Sequence, residues 1–248
     1  MKIDLSPWGQ IEVLNDLASG GQSQAFRVRK VGGATYFLKL FIKPRLPISG
    51  SEKTKAKKTK AFNIFLEEKS KLYNCAAEAT KGTQSLIRNY GIFQIDMALA
   101  AIFEFVDAHA PKLDASGLPA FVREDPIEDR LALVLEVAEA LNALHAQSII
   151  HGDIKFENVI FQKAKSDKEA GAGRMAIRPK LIDFCGGYLS NNPPTLDNKL
   201  PFHFDTNYAP PEVIDHGESE MGVRTASALG THSDVFSFSL LAAQMLGS

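Results

Sequence analysis

The chain has 248 residues, 45% of them hydrophobic and 23% charged, enough apolar content to bury one large core or two small ones. Its formal net charge of −1 exerts no general pull toward nucleic acid or an anionic membrane. Two cysteines, Cys75 and Cys185, are too few for a disulfide scaffold and fit a reducing compartment.

Met1 to Trp8 is polar where a secretory leader needs an apolar run, and no later run approaches the ~20 apolar residues of a spanning helix, so a cytoplasmic protein is expected. Residues 11–42 read as strands. Ile11 to Leu14 alternates, and Gly20-Gly21 marks a turn before Ala25-Phe26-Arg27-Val28. Such a turn lets backbone amides approach a phosphate without a Cβ in the way, although an ordinary hairpin has the same signature. In the next strand, Tyr36 to Phe41, one lysine (Lys39) sits among large apolar residues, so its ammonium needs an anionic partner. Pro44, Pro47, Gly50 and the Lys/Thr-rich run ending at Lys60 read as a solvated linker over residues 43–60. A helix follows from Phe62 to Leu72, carrying Glu67 and Glu68. Residues 87–95 and 97–106 read as a strand pair that completes a small sheet.

After a loop from Pro111 to Pro126, Leu131 to Ala146 is the strongest helix in the chain. Its expected apolar face is Leu131, Val134, Leu135, Ala138, Leu141 and Leu144, and Asp125 is its expected N-cap, with Pro126 as the first helical residue. It runs into His151-Gly152-Asp153-Ile154-Lys155-Phe156-Glu157-Asn158. On that loop Asp153 can accept a proton, Lys155 can neutralise a phosphoryl oxygen, and Asn158 can offer a carbonyl oxygen to a hard cation. A strand, Val159 to Phe161, leaves the loop, a polar insertion covers 163–178, and a second strand, Lys180 to Ile182, delivers Asp183 just before Gly186-Gly187. A carboxylate at the end of a buried strand beside a flexible glycine pair suits a metal ligand, and equally a turn cap. Asp205 to Glu212 forms a Tyr/Pro-bearing segment, and Ser233 opens an apolar helix reaching Leu246.

These blocks, in this order, resemble the eukaryotic-type Ser/Thr protein kinases. The octet 151–158 is similar to the catalytic loop H-R-D-x-x-x-x-N, with Gly152 in the place of Arg; Asp183-Phe184-Cys185 is similar to D-F-G, with Cys185 in the place of Gly. Tyr208 to Glu212 resembles the Y-x-A-P-E end of an activation segment, with Pro210 in the Ala place and Asp205 where the substrate-docking Thr is expected. Ser233 to Phe238 resembles the start of the helix whose Asp, here Asp234, braces the catalytic loop. Upstream the likeness thins. In the glycine-rich-loop frame the residues are Ala18, Gly20, Ser23 and Ala25, so only the central glycine survives, and Phe37 replaces the small residue that faces adenine.

The resemblance implies an α+β, bilobal fold: residues 1–106 as an N-lobe of small antiparallel sheet plus one helix, and 107–248 as a mainly helical C-lobe. It implies ATP and Mg2+ as cofactors. Asp153 and Lys155 are then catalytic, Asn158 and Asp183 hold metal, and Ala18, Gly20, Gly21, Lys39 paired with Glu68, and the backbone of Glu104 and Val106 hold the nucleotide. Glu67 is the competing partner for Lys39. Phe103 is a bulky residue at the back of the nucleotide site, and His145 and His151 are bracing residues. The family's later helices have no counterpart before residue 248, so the expectation is a further C-terminal region, an unusually minimal kinase or a partner chain completing the lobe, together with a Ser/Thr-bearing protein substrate and neither nucleic acid nor membrane as partner. Gly152 also fits small-molecule phosphotransferases, against which Lys155, Tyr208–Glu212 and Ser233–Phe238 weigh. The thinned glycine loop fits a binding-only pseudokinase, against which the set Lys39, Asp153, Asn158 and Asp183 weighs.

Overall fold

The computed structural model describes residues 2–6, 8–19, 23–107, 125–163, 177–192, 205–211 and 230–247. The chain forms an α+β fold of two compact units, Met1–Ala77 with Arg88–Val106, and Glu78–Ile87 with Asp107–Ser248. No helix among the described residues is long and apolar enough to cross a membrane.

The first unit is built on an antiparallel six-stranded sheet. Its strands are β1 (Lys2–Asp4), β2 (Gln10–Ser19), β3 (Ser23–Lys30), β4 (Thr35–Phe41), β5 (Asn89–Ile95) and β6 (Ala98–Glu104), in the spatial order β1-β2-β3-β4-β6-β5. Because side chains alternate along a strand, the sheet divides its apolar residues between two faces. One face gathers Leu5, Ile11, Val28, Leu38, Ala100 and Ile102, with Trp8, Tyr36 and Phe93 packed against them. Trp8 meets Tyr36 edge-on at 4.8 Å, which closes this layer. The other face carries Phe41 and Phe103, which meet Phe65 and Tyr73 of helix α1 (Glu52–Ala79) at ring distances of 5.2 and 5.8 Å. Each large side chain buried in this way contributes about 1.5–3 kcal/mol.

Helix α1 begins about ten residues before the expected start at Phe62, so the linker expected over 43–60 ends near residue 51. The expectation rested on apolar spacing, which is absent there: none of residues 52–61 is buried. What starts the helix is local chemistry. Ser51 Oγ accepts the Thr54 backbone N–H at 3.3 Å, and Lys and Ala favour helix without needing a core.

The second unit contains α2 (Ile127–Ala146), α3 (Thr231–Leu246) and two small antiparallel ladders. In one, β7 (Ile149–Ile150) pairs with β10 (Tyr188–Leu189); in the other, β8 (Val159–Lys163) pairs with β9 (Ile177–Leu181). The insertion expected at 163–178 is thus flanked by paired strands, and residues 164–176 lie outside the described residues. Segment 85–87 runs beside β9, with Leu181 N–H on Ser85 O at 2.8 Å and Ile87 N–H on Leu181 O at 3.0 Å.

Two expectations for α2 are corrected. Its buried face is Leu133, Val134, Val137, Ala140, Leu141 and Leu144, whereas Leu131 and Leu135 are 46% and 56% exposed. The helix is apolar on most sides, so spacing alone does not choose the face. Pro126, and not Asp125, holds the N-cap position, with ψ 153° and no side-chain cap bond. Its ring-fixed φ of −53° lets the chain arrive extended and turn directly into the helix.

Candidate active site

In the first unit β4 presents Lys39 in a cross-strand row, with Ala25 of β3 on one side and Ala101 of β6 on the other. Two methyl groups thus flank the Lys39 stem on the sheet face that also carries Phe41. On α1 the two candidate acids separate cleanly. Glu67 points to solvent and accepts from Lys71 at 2.7 Å, a bond that holds its carboxyl below the ordinary range. Glu68 turns inward, and its Oε2 is buried with no hydrogen-bond partner. A buried carboxylate oxygen without a donor is costly, which makes Glu68 the acid suited to receive an ammonium.

Segment 103–106 is fixed from both ends. Phe103 is buried between Phe37, 6.2 Å away, and Tyr73. The Glu104 N–H donates to Arg88 O at 2.9 Å, and the Arg27 guanidinium lies 4.5 Å over the Phe105 ring. Val106 is half-buried just beyond this segment's anchored stretch. Ala18 pairs with Ala25 at the end of β2, and Gly20 and Gly21 lie outside the described residues.

In the second unit the loop after β7 is held by Asp234, 1% exposed in the first turn of α3. Its Oδ2 accepts the His151 N–H at 2.8 Å and faces His145 Nε2 at 2.9 Å, while Oδ1 accepts the Gly152 N–H at 2.9 Å. Gly152 adopts φ +78°, a left-handed conformation that glycine takes without strain and a Cβ-bearing residue does not. His151 is fully buried. Its Nδ1 accepts the Asp153 N–H at 3.3 Å, so Nε2 carries the proton and donates it to Ile182 O at 2.9 Å. Both histidines therefore brace the loop.

Asp153 Oδ2 lies 3.0 Å from Lys155 Nζ and 3.0 Å from Asn158 Nδ2, and the same Asn158 amide donates to Asp153 O at 2.7 Å. Because both partners are acceptors, the NH2 group must face them, and Asn158 Oδ1 points elsewhere. Burial pulls the Lys155 ammonium down, but the hydrogen bond to Asp153 and the charges of Asp153, Asp205 and Glu157 outweigh it and raise its pKa. Asp205 Oδ2 is 3.9 Å from the same ammonium.

Asp183 follows β9 and is tied to the loop through its neighbour, since the Ile182 N–H donates to Asn158 O at 2.8 Å. Its backbone is left-handed, φ 59° and ψ 46°, which is strained for a residue with a Cβ. Strain of this kind persists where the surrounding structure holds the backbone in that conformation. Behind it Gly187 is packed so closely that a Cβ would lie 2.6 Å from Ile150 O. Tyr208 donates its hydroxyl to Gln244 of α3, Ser237 Oγ donates to Tyr208 O at 2.8 Å, and burial pushes the Tyr208 phenol up. The Asp205 contact with Lys155 and the Arg27–Phe105 stack escaped sequence reading. The only sequence signal for Asp205 was its place three residues before Tyr208.

Among the described residues no cluster of three or more His, Cys, Asp or Glu could form an all-protein metal cage. What is present is one carboxylate and one amide oxygen on backbone-linked segments. That donor set fits Mg2+, which takes few protein ligands and completes its shell with phosphate and water.

The protein kinase domain family model matches residues 48–248. A Caenorhabditis elegans protein named as a ribosomal protein S6 kinase alpha-2 is 26% identical over 210 residues, which is 83% of this chain. The chain spans 23% of the length of that relative. The octet, the Asp183 turn and the Asp234 brace all lie within the matched span, and the chain belongs to the protein kinase domain family.

Proposed function

We propose that the chain is a Ser/Thr-directed protein kinase that uses Mg2+-bound ATP. The observation that carries the reading is the cluster Asp153–Lys155–Asn158, joined to Asp183 through the Ile182–Asn158 backbone bond. When bound, Mg-ATP supplies the γ-phosphoryl group and neutralises charge that develops on its oxygens. Asp153 orients the acceptor hydroxyl and takes its proton, its carboxylate held in place by Asn158. Lys155 offsets the negative charge that builds beside Asp153 during transfer.

Asp183 and Asn158 Oδ1 are the residues that would hold the metal. Residues 1–106 supply the nucleotide side: Lys39 for the α/β-phosphates with Glu68 as its counter-charge, Ala18, Gly20 and Gly21 over the phosphates, and the Glu104 carbonyl and Val106 for adenine. The buried, donorless Oε2 of Glu68 supports that pairing over Glu67. Ser/Thr preference is supported by Lys155 two residues after the base and by the name of the 26%-identical relative.

Incubation with γ-labelled ATP, Mg2+ and a generic protein substrate tests the reading. Label should appear on Ser and Thr, and Asp153→Asn should lower the rate by about 10²–10⁴. No transfer by wild type, or equal transfer by the variant, would overturn it.

A further inference from the structure

Asp205 stands where a neutral hydroxyl residue was expected, and its two carboxylate oxygens do separate things. Oδ1 accepts both the backbone N–H and the side-chain Nδ2 of Asn207, each at 3.0 Å, which closes the turn over residues 205–208. The Asp205 carbonyl completes that turn by accepting from the Tyr208 and Ala209 N–H groups at 3.0 and 2.9 Å. An Asn or Ser could make the same side-chain turn bond, so the turn does not account for a negative charge. The charge is directed elsewhere: Oδ2 lies 3.9 Å from Lys155 Nζ, an ion-pair distance without a hydrogen bond. Lys155 is also bonded to Asp153 at 3.0 Å, and all three side chains are roughly three-quarters shielded from solvent.

We propose that Asp205 is a positioning residue that holds the Lys155 ammonium as a second carboxylate beside Asp153. The inference rests on the reading of Asp153 as base. At the start of the reaction Lys155 is shared between two anions. Once Asp153 has taken the acceptor's proton its charge is gone, and the 3.0 Å bond loses its ionic part. Asp205 then remains as the anion that keeps the ammonium next to the transferred group, and the closed turn keeps Asp205 where it is. Glu157 also acts on Lys155 through space but makes no ion pair with it within 4 Å, so it is a weaker counter-charge. In this arrangement the turn at 205–208 does more than shape a docking surface: it presents a fixed negative charge to the catalytic loop.

The test compares wild type with Asp205→Asn, which keeps an oxygen for the Asn207 turn but removes the charge, and Asp205→Thr, which restores the expected hydroxyl. Asp205→Asn should lower kcat about tenfold with KM for ATP within about two-fold, because a misplaced ammonium affects the transferring group more than nucleotide binding. A readout independent of transfer is acylation of Lys155 by an amine-reactive ester, followed by mass spectrometry without nucleotide. Loss of one counter-charge should speed Lys155 labelling by about three- to ten-fold in Asp205→Asn, relative to the exposed Lys53 and Lys57. If wild type transfers no phosphate yet labelling changes as stated, the kinase reading fails and the Asp205 clamp stands. If labelling and kcat are both unchanged in Asp205→Asn, the clamp is overturned whether or not the chain is active.

Discussion

Asp234 accepts the backbone N–H groups of both His151 and Gly152, residues 83 and 82 positions earlier in the chain. One carboxylate in the first turn of α3 thereby fixes the two peptide units that precede Asp153. It also faces His145 at the end of α2, so a single side chain joins two helices and the loop between them.

Asp234→Ala would strand one buried and one part-buried backbone donor and one imidazole. Removing one partner of a buried charged network costs about 3–5 kcal/mol, and urea unfolding followed by circular dichroism measures it. Asp234→Asn keeps the volume and one acceptor oxygen, so it should fall between wild type and Ala. A loss in Asp234→Ala below about 1 kcal/mol would mean that water replaces the carboxylate.

The left-handed Asp183 makes a second prediction, a conflict between stability and activity. Asp183→Gly and Asp183→Ala both remove the carboxylate, but only glycine adopts φ 59° without strain. The Gly variant should therefore be more stable than the Ala variant by about 1 kcal/mol. Both should be inactive in phosphotransfer. Equal melting temperatures for the two would show that the backbone relaxes once the side chain is gone.

Gly187 offers a steric test nearby. Its φ of −66° suits any residue, so conformational freedom is not the reason glycine is there. A Cβ would instead meet Ile150 O at 2.6 Å and Phe184 O at 2.9 Å, backbone atoms that cannot swing away. Gly187→Ala should destabilise by about 1–3 kcal/mol and separate β10 from β7. Thermal unfolding gives the size, and a shift within error of zero would contradict the packing described.

A fourth prediction concerns alkaline pH. The net effect on Lys155 is a pKa raised above its ordinary value of 10.5, so its pairing stabilises the folded state fully below that value. The contribution is lost as pH rises through the raised folded value. Lys155→Met should therefore narrow its stability gap to wild type above pH 10.5 while keeping a constant gap near neutrality. Urea midpoints of both proteins across that range check the sign, and a gap that widens with pH would refute it.

Much of this organisation is readable from residue order. The strands and the helix before the loop follow from period and spacing, because each depends on a short stretch of chain, whereas the octet and Asp183 stand out through their likeness to the kinase motifs. What was misread depends on neighbours remote in sequence. Leu131 and Leu135 look as core-like as Val134 until the packing of α2 selects a face. Glu67 and Glu68, one residue apart in helical phase, are told apart by packing, which exposes the first and buries an oxygen of the second. Asp205 had no sequence signal for its charge because its partner, Lys155, lies 50 residues away in the numbering.

The first turns of α1 have a consequence for motion. Residues 52–61, an arm about 15 Å long, bury nothing, and Lys53, Lys57 and Lys60 repeat like charges at helical spacing. Their ladder hydrogen bonds are held by the Ser51 cap and the exposed Lys55–Glu52 pair, not by a core. Local opening there should need little free energy, while the stretch from Phe62 to Ala76 opens only with the sheet it covers. In a hydrogen-exchange experiment the helix would behave as two bodies, a fast-exchanging arm and a slow stem, with the step between them at Phe62.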